Sequence, residues 1–245
     1  MKKNIIYGLH PVKEAIESGQ HIDKIFLQKG LKGSTSQELR NLLDEQFIPY
    51  KVVPVEKINR LTKENHQGVV AFISPVKIHK VEDLLEDTLK DERKVFLLLD
   101  GITDPRNLGA IIRTAAATDV QGIILPENNS APINEEVVKT SAGGIFKVPI
   151  ARTKHLADAI FLLQSFEIPI YAATEKANQL VYEVDLSTDY ALVMGSEGKG
   201  IQRNILRLTD LQCKLPMSDR MQSLNVSVAA GVILYEGVRQ KLYKK

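Results

Sequence analysis

Three short segments of this chain carry side chains that could do chemistry. The first runs Asp100-Gly101-Ile102-Thr103-Asp104-Pro105-Arg106-Asn107-Leu108-Gly109 and on to Arg113-Thr114. Asp104 suits a helix N-cap and Pro105 the first helical position. On such a helix Arg106 and Arg113 share one face. Two guanidiniums, an asparagine and a helix N-terminus suit a phosphate or ribose ligand. A capped and solvated surface helix is the other reading. The second segment is Gly195-Ser196-Glu197-Gly198-Lys199-Gly200. Closely spaced glycines after an apolar run make a loop that a ligand or a second backbone can approach. A tight turn bearing a solvated carboxylate fits the residues equally. The third is Leu215-Pro216-Met217-Ser218 followed by Gln222-Ser223-Leu224-Asn225-Val226-Ser227. Ser223 or Asn225 could cap the last helix, and the small residues Ser227 to Gly231 would let that helix pack closely.

Other chemistries are excluded or disfavoured. The glycine loop lacks both the phosphate-loop spacing and the Gly-x-Gly-x-x-Gly dinucleotide fingerprint, which leaves a nicotinamide-dependent enzyme without its phosphate site. No Gly-x-Ser-x-Gly elbow occurs. The histidines at 10, 21, 66, 79 and 155 have no His or Cys neighbour at metal-ligand spacing, so no metal site is expected. The single cysteine, Cys213, allows no intrachain disulfide and reads as a structural thiol. Lys139-Thr140-Ser141-Ala142-Gly143-Gly144 reads as a helix end at its glycines, or as a ligand contact.

These segments must be held by something, and the flanking patterns say what. Val95–Asp100, Gly122–Pro126, Pro169–Ala173 and Tyr190–Gly195 are continuous apolar runs of the kind buried on both faces of a sheet. Helical patterns intervene at 107–118, 134–142, 154–166 and 223–241. This alternation predicts a parallel α/β sheet with helices on both faces. Ligands of such sheets sit beyond the carboxyl ends of the strands. The loops after Asp100, Ala173, Gly195 and Leu215 are therefore the candidate site. Ahead of this region, helical patterns at 12–16 and 37–46 alternate with strand patterns at 24–28, 50–53 and 68–73. They predict a small α/β domain over residues 1–75. Residues 76–94, acidic around Glu82–Asp87, read as a linker whose Leu84, Leu85 and Leu89 could share a helix face. Residues 95–245 form the second domain.

Apolar residues make up 44% and the net charge is +2, which rules out disorder as the dominant state. No stretch approaches a membrane span, and the start is not a convincing secretory signal. A cytoplasmic protein is the simplest expectation. The basic excess lies in residues 1–75, which hold 11 Lys/Arg against 8 Asp/Glu. On charge alone a solvated surface is the favoured reading, since a nucleic-acid footprint is normally a strong basic patch.

Taken together and in order, Asn107-x-Gly109-x-x-x-Arg113-Thr114, Gly195-Ser196-Glu197-Gly198 and Ser223-Leu224-Asn225-Val226-Ser227 resemble the SpoU/TrmH family of RNA ribose 2′-O-methyltransferases. Ile6-Tyr7-Gly8-Leu9-His10-Pro11-Val12 and His66-Gln67-Gly68-Val69 look like that family's substrate-binding domain. The likeness thus covers nearly the whole chain, and the two-domain length is most similar to the RlmB branch. The resemblance implies a SPOUT fold, a parallel sheet ending in a trefoil knot. It implies S-adenosylmethionine as methyl donor, a homodimer, and RNA as substrate. It places Asn107, Arg113, Glu197, Ser223 and Asn225 in the active site. Backbone around Thr174, Gly195, Leu215 and Leu224 would hold the cofactor, and His10, His66, Gln67 and Arg106 would meet RNA. The implied reaction is 2′-O-methylation of a guanosine in large-subunit ribosomal RNA. Transfer RNA as substrate, or a non-catalytic RNA-binding assembly factor, are the alternatives.

Overall fold

The computed structural model describes residues 5–17, 21–74, 76–88, 90–221 and 223–243. The chain divides into two compact units, Met1–Lys77 with Pro132–Glu135, and Ile78–Ala131 with Glu136–Lys245.

The first unit contains β1 (Ile5–Tyr7), α1 (Leu9–Glu17), β2 (Ile22–Gln28), α2 (Ser34–Glu45), β3 (Tyr50–Val53), α3 (Val55–Leu61) and β4 (Val69–Ile73). The strands lie in the order β1-β4-β2-β3, with β2 and β3 parallel and β4 antiparallel to both its neighbours. Side chains alternate across a strand. Ile25 and Leu27 of β2 therefore face α1 and α2, where they pack with Val12, Ile16, Leu39 and Leu43. Phe26 faces the opposite side and packs with Val53, Ile58 and Val70 under α3.

The second unit contains β5 (Ile78–His79), α4 (Val81–Asp87), β6 (Val95–Asp100), α5 (Pro105–Ala117), β7 (Gly122–Pro126), α6 (Glu135–Thr140), β8 (Ile150–Thr153), α7 (Leu156–Ser165), β9 (Ile170–Ala173), β10 (Gln179–Leu180), β11 (Tyr190–Gly195), α8 (Arg203–Leu206), β12 (Leu211–Lys214) and α9 (Val226–Tyr243). Among the described residues its sheet has the order β10-β12-β9-β11-β6-β7-β8-β5, and every pairing is parallel. The expected parallel α/β architecture is thus present. Every residue of β6 is buried, because helices cover both faces. Phe96 and Leu98 join Leu156, Ile160, Leu163 and Ile205 on one side, the side of α7 and α8. Leu97 and Leu99 alternate to the other side and are fully buried there.

The segment 76–94 is not a linker. β5 pairs with β8 at the edge of the large sheet. α4 buries Val81, Leu84 and Leu85 in the same core as Phe96 and Ile160. Composition alone misled here: the acidic residues Glu82, Glu86 and Asp87 mark only the solvent side of a short amphipathic helix. Leu89, expected on the same apolar face, lies outside the described residues, as do Pro75 and Gln222. The helix expected at 223–241 begins instead at Val226, since Asn225 caps it: Asn225 Oδ1 accepts from Ser227 N at 2.9 Å and from Val228 N at 3.4 Å.

Candidate active site

Because β6, β9, β11 and β12 run parallel and adjacent, their carboxyl ends open onto one edge. Register brings Gly195 beside Asp100, and Ala173 beside both Met194 and Cys213. Thr174 leaves β9 with its N–H donating to the Cys213 carbonyl at 2.9 Å. The three loops are thereby tied to a common rim.

The glycine loop folds back on itself. Ser196 and Gly200 exchange backbone hydrogen bonds of 3.2 and 2.9 Å. A Cβ on Gly195 would lie 2.2 Å from the Gly200 carbonyl carbon, so no larger residue fits that crossing. Beyond the loop, Gln202 is clamped by the buried Asp100. One carboxylate oxygen accepts from Gln202 N at 2.7 Å, the other from Gln202 Nε2 at 2.6 Å. Asp100, only 2% exposed, was not among the expected site residues. An acid closing an apolar strand was its one visible signal.

Three of the expected catalytic residues meet. Asn225 Nδ2 donates to Glu197 Oε1 at 2.7 Å and to Asn107 Oδ1 at 2.9 Å. Asn107 Nδ2 donates to the same Glu197 oxygen at 3.2 Å, as does Val226 N at 3.4 Å. One carboxylate oxygen thus gathers α5, the glycine loop and the start of α9. Asn107 is brought there by the cap expected from sequence, with Asp104 Oδ1 accepting from Arg106 N at 2.8 Å and Pro105 in the first turn. The glycine of the same motif has a packing reason. A Cβ on Gly109 would lie 1.8 Å from Thr140 Oγ1, so α6 can cross α5 only at a glycine.

Next to this cluster is a cavity of about 320 Å³ lined by Thr174, Gly195, Glu197, Leu215, Ser223 and Leu224, among others. All four expected cofactor-binding residues line it. Met194, Met217, Val226, Ala229 and Ile233 complete an apolar wall. Val226, Ala229 and Ile233 recur on one face of α9 at helical spacing, a signal that could have been read from sequence. Volume and lining suit a small organic ligand with an apolar ring and a polar tail.

Arg113 is not in the cluster. It lies on α5 six residues beyond Asn107, about 9 Å along the helix axis, and its side chain is exposed. Among the described residues it has no ion-pair partner. Arg106 is exposed too, its Nε 3.6 Å from Asp104 Oδ1. In the first unit, His10 is exposed on the first turn of α1. Gln67 Oε1 accepts from Leu9 N at 3.2 Å, closing the start of that helix. His66 Nδ1 accepts from Gly68 N at 2.9 Å, which leaves Nε2 as the donor to Asn59 Oδ1 at 2.7 Å. His66 and Gln67 therefore hold a local turn, with Gln67 at a φ of 49°.

Cys213 is fully buried, and that burial pushes its thiol up to about 11. It is structural, as expected. Among the described residues no group of His, Cys, Asp and Glu could hold a metal, and no helix is long and apolar enough to cross a membrane.

Comparison with known proteins places both parts of the chain in a known family. Residues 94–235 match the SpoU rRNA Methylase family, and residues 5–79 match the RNA 2′-O ribose methyltransferase substrate-binding domain. Proteins assigned to the TrmH family of tRNA/rRNA methyltransferases are similar over essentially full length. That of Staphylococcus saprophyticus is 37% identical over 99% of this chain and 98% of its own. That of Staphylococcus aureus strain MSSA476 is 38% identical over 98% of each. Among solved structures, the SpoU methyltransferase AviRb of Streptomyces viridochromogenes, in complex with AdoMet, superposes with a TM-score of 0.63. It shares 23% identity over 98% of this chain and 91% of that one, a likeness of fold alone. The A. aeolicus TrmH/SpoU tRNA modifying enzyme superposes with a TM-score of 0.58 at 29% identity, over 67% of this chain and 83% of that one. With both of its parts matched and its relatives matched end to end, this chain belongs to the SpoU/TrmH family of RNA methyltransferases.

Proposed function

We propose that the chain transfers a methyl group from S-adenosylmethionine to the ribose 2′-hydroxyl of a guanosine in large-subunit ribosomal RNA. The observation that carries the reading is the Asn107–Glu197–Asn225 cluster, whose Glu197 also lines the cavity at the strand ends. The cavity fits the cofactor by volume and by its apolar wall, and backbone groups of the lining residues Thr174, Gly195, Leu215 and Leu224 would hold its polar parts. When bound, S-adenosylmethionine supplies a methyl on a positively charged sulfur.

The chain's own residues must orient a poor nucleophile and favour loss of its proton. Glu197 already accepts internal hydrogen bonds from Asn107, Asn225 and Val226, so its role is to organise the loop. Asn107, Ser223 and Asn225 would orient the ribose. Arg113 is a permanent cation and a poor base. It would stabilise the developing alkoxide electrostatically, and its exposed position on α5, without an ion-pair partner among the described residues, leaves it able to reach an RNA. Arg106, His10, His66 and Gln67 would contact the RNA away from the reacting atoms. The first unit would select the substrate, and a 2′-hydroxyl acceptor restricts it to RNA.

We also infer that the chain end is threaded as a trefoil knot and that two copies pair as a cytoplasmic homodimer. Supporting the pairing, α9 exposes Val228, Val232, Tyr235 and Leu242 while burying Ala230, Ile233 and Leu234. The test is tritiated methyl transfer from S-adenosylmethionine to ribosomal and transfer RNA of a strain lacking the gene, followed by nucleoside analysis. Label in 2′-O-methylguanosine of the large-subunit RNA is expected. Label only in transfer RNA would replace the substrate, and no label in either would sink the catalytic reading.

A further inference from the structure

The four-stranded sheet of the first unit has one face that its charge sets apart. Lys24 of β2 and Lys57 of α3 both stand over the Phe26 ring, with Nζ 5.1 and 5.4 Å from its centre. Lys51 of β3 pairs with Phe26 across the strands and points to the same side. Phe26 is only 5% exposed and meets Phe72 edge-on, with ring centres 6.2 Å apart. Two ammonium groups thus stand over one aromatic floor, and a third lysine projects from the same side of the sheet.

Among the described residues none of the three forms an ion pair. Asp23, next to Lys24 in sequence, lies 3.8 Å from His21 instead. Glu56 sits in the first turn of α3 as the nearest acid in sequence to Lys57. The ammonium of Lys24 is held below its ordinary value, first by burial and then by the charges of Lys51 and Lys57. Like charges gathered without a counter-charge destabilise a free protein and favour a polyanionic ligand.

We propose that this sheet face binds the phosphodiester backbone of the RNA substrate through Lys24, Lys51 and Lys57. The proposal rests on the reading that the first unit engages RNA, and it names the face and the chemistry of that contact. Lysine is a point charge without the planar fork that reads bases. The Phe26 ring lies beneath the lysines and is not free to stack on a base. The contact therefore positions the RNA and carries no sequence preference. Selection of the target nucleotide must come from elsewhere.

The experiment uses the full chain, a K24Q/K51Q/K57Q variant and a K24R/K51R/K57R variant. Binding to end-labelled large-subunit ribosomal RNA and to transfer RNA is followed by fluorescence anisotropy over a range of potassium chloride concentrations. Each phosphate contact contributes about 0.7–0.9 to the slope of log affinity against log salt. The glutamine variant should lose about 2 from that slope and bind at least tenfold more weakly, with a thermal midpoint no lower than that of the wild type. The arginine variant should keep the wild-type slope. A glutamine variant with the wild-type slope would overturn the proposal, as would a wild type that binds neither RNA. So would poly-L-glutamate competing as well as RNA at equal charge, which would mark the face as a protein-docking surface. Methyl transfer measured in parallel separates the two readings. An inactive wild type with a lysine-dependent slope sinks only the catalytic reading. An active wild type with a lysine-independent slope sinks only this one.

Discussion

At the scale of single residues, the site separates groups that hold from groups that are held ready. Glu197 and Asn225 spend their hydrogen bonds on each other, on Asn107 and on the start of α9. Arg113 has no ion-pair partner among the described residues and faces solvent. Replacing it should therefore cost catalysis and little else. Arg113→Ala is expected to lower turnover about 10²–10³-fold, the range for removing one preorganised charge-stabilising donor. The affinity for S-adenosylmethionine, read by calorimetry, should stay near wild type, and a comparable loss of affinity would assign Arg113 to the cofactor. Cys213 gives an opposite test. Its thiol is fully buried and is pushed up to about 11 by that burial. In the native protein at pH 8 it should scarcely react with a disulfide reagent, whereas denaturant should release one thiol per chain. The same shift has a sign for stability. The folded state holds the proton more tightly than the unfolded chain, so this contribution is complete below the unfolded value near 8.5. It declines as pH rises from there towards about 11. Rapid native reaction at pH 8 would show the thiol to be accessible.

At the scale of elements, what positions the glycine loop is a buried carboxylate. Asp100 ends β6 and grips Gln202 just past the loop that begins at Gly195. Each of its oxygens accepts from an N–H, and alanine can accept neither bond. D100A should leave the Gln202 backbone N–H poorly satisfied, at a cost of about 1–3 kcal/mol. The loop should then open and S-adenosylmethionine should bind about tenfold more weakly, while RNA affinity is kept. Equal losses of cofactor and RNA binding would point to general unfolding instead. This clamp also shows where sequence reading stops. β6 and β11 are plain from their unbroken apolar runs, because only a strand buried on both faces tolerates them. β5, with two residues, and β12, which alternates, carry no such run and emerge only from their partners in the sheet. The Asp104 cap and the Pro105 start are local and were legible. The bonds from Asn107 to Glu197 and Asn225 span 90 and 118 residues, and no spacing rule connects such positions. Only resemblance to a family grouped them beforehand.

At the scale of the whole molecule, α9 is the element with a face unaccounted for. A helix that packs one stripe into a core normally shows a polar opposite face. Over its 18 residues α9 instead exposes Val228, Val232, Tyr235 and Leu242, spaced at helical intervals, while Val226, Ala230, Ile233, Leu234 and Gly237 are buried. Apolar stripes left exposed mark association surfaces. A second copy is the occupant we infer, since a two-fold interface lets one stripe meet itself. Wild-type protein should then run in solution at twice 27.3 kDa. Val232→Asp combined with Tyr235→Asp should halve that mass, because carboxylates forced together in an apolar interface cannot be solvated. Secondary structure should be kept, since both side chains are already in water in the single chain: Val232 is 37% exposed and Tyr235 54%. Activity reads the consequence. If the partner copy completes the RNA site, the monomeric variant should lose methyl transfer while still binding S-adenosylmethionine, because the cavity residues all belong to one chain. A monomeric wild type, or a monomeric variant with full activity, would show that the exposed stripe serves something other than this reaction.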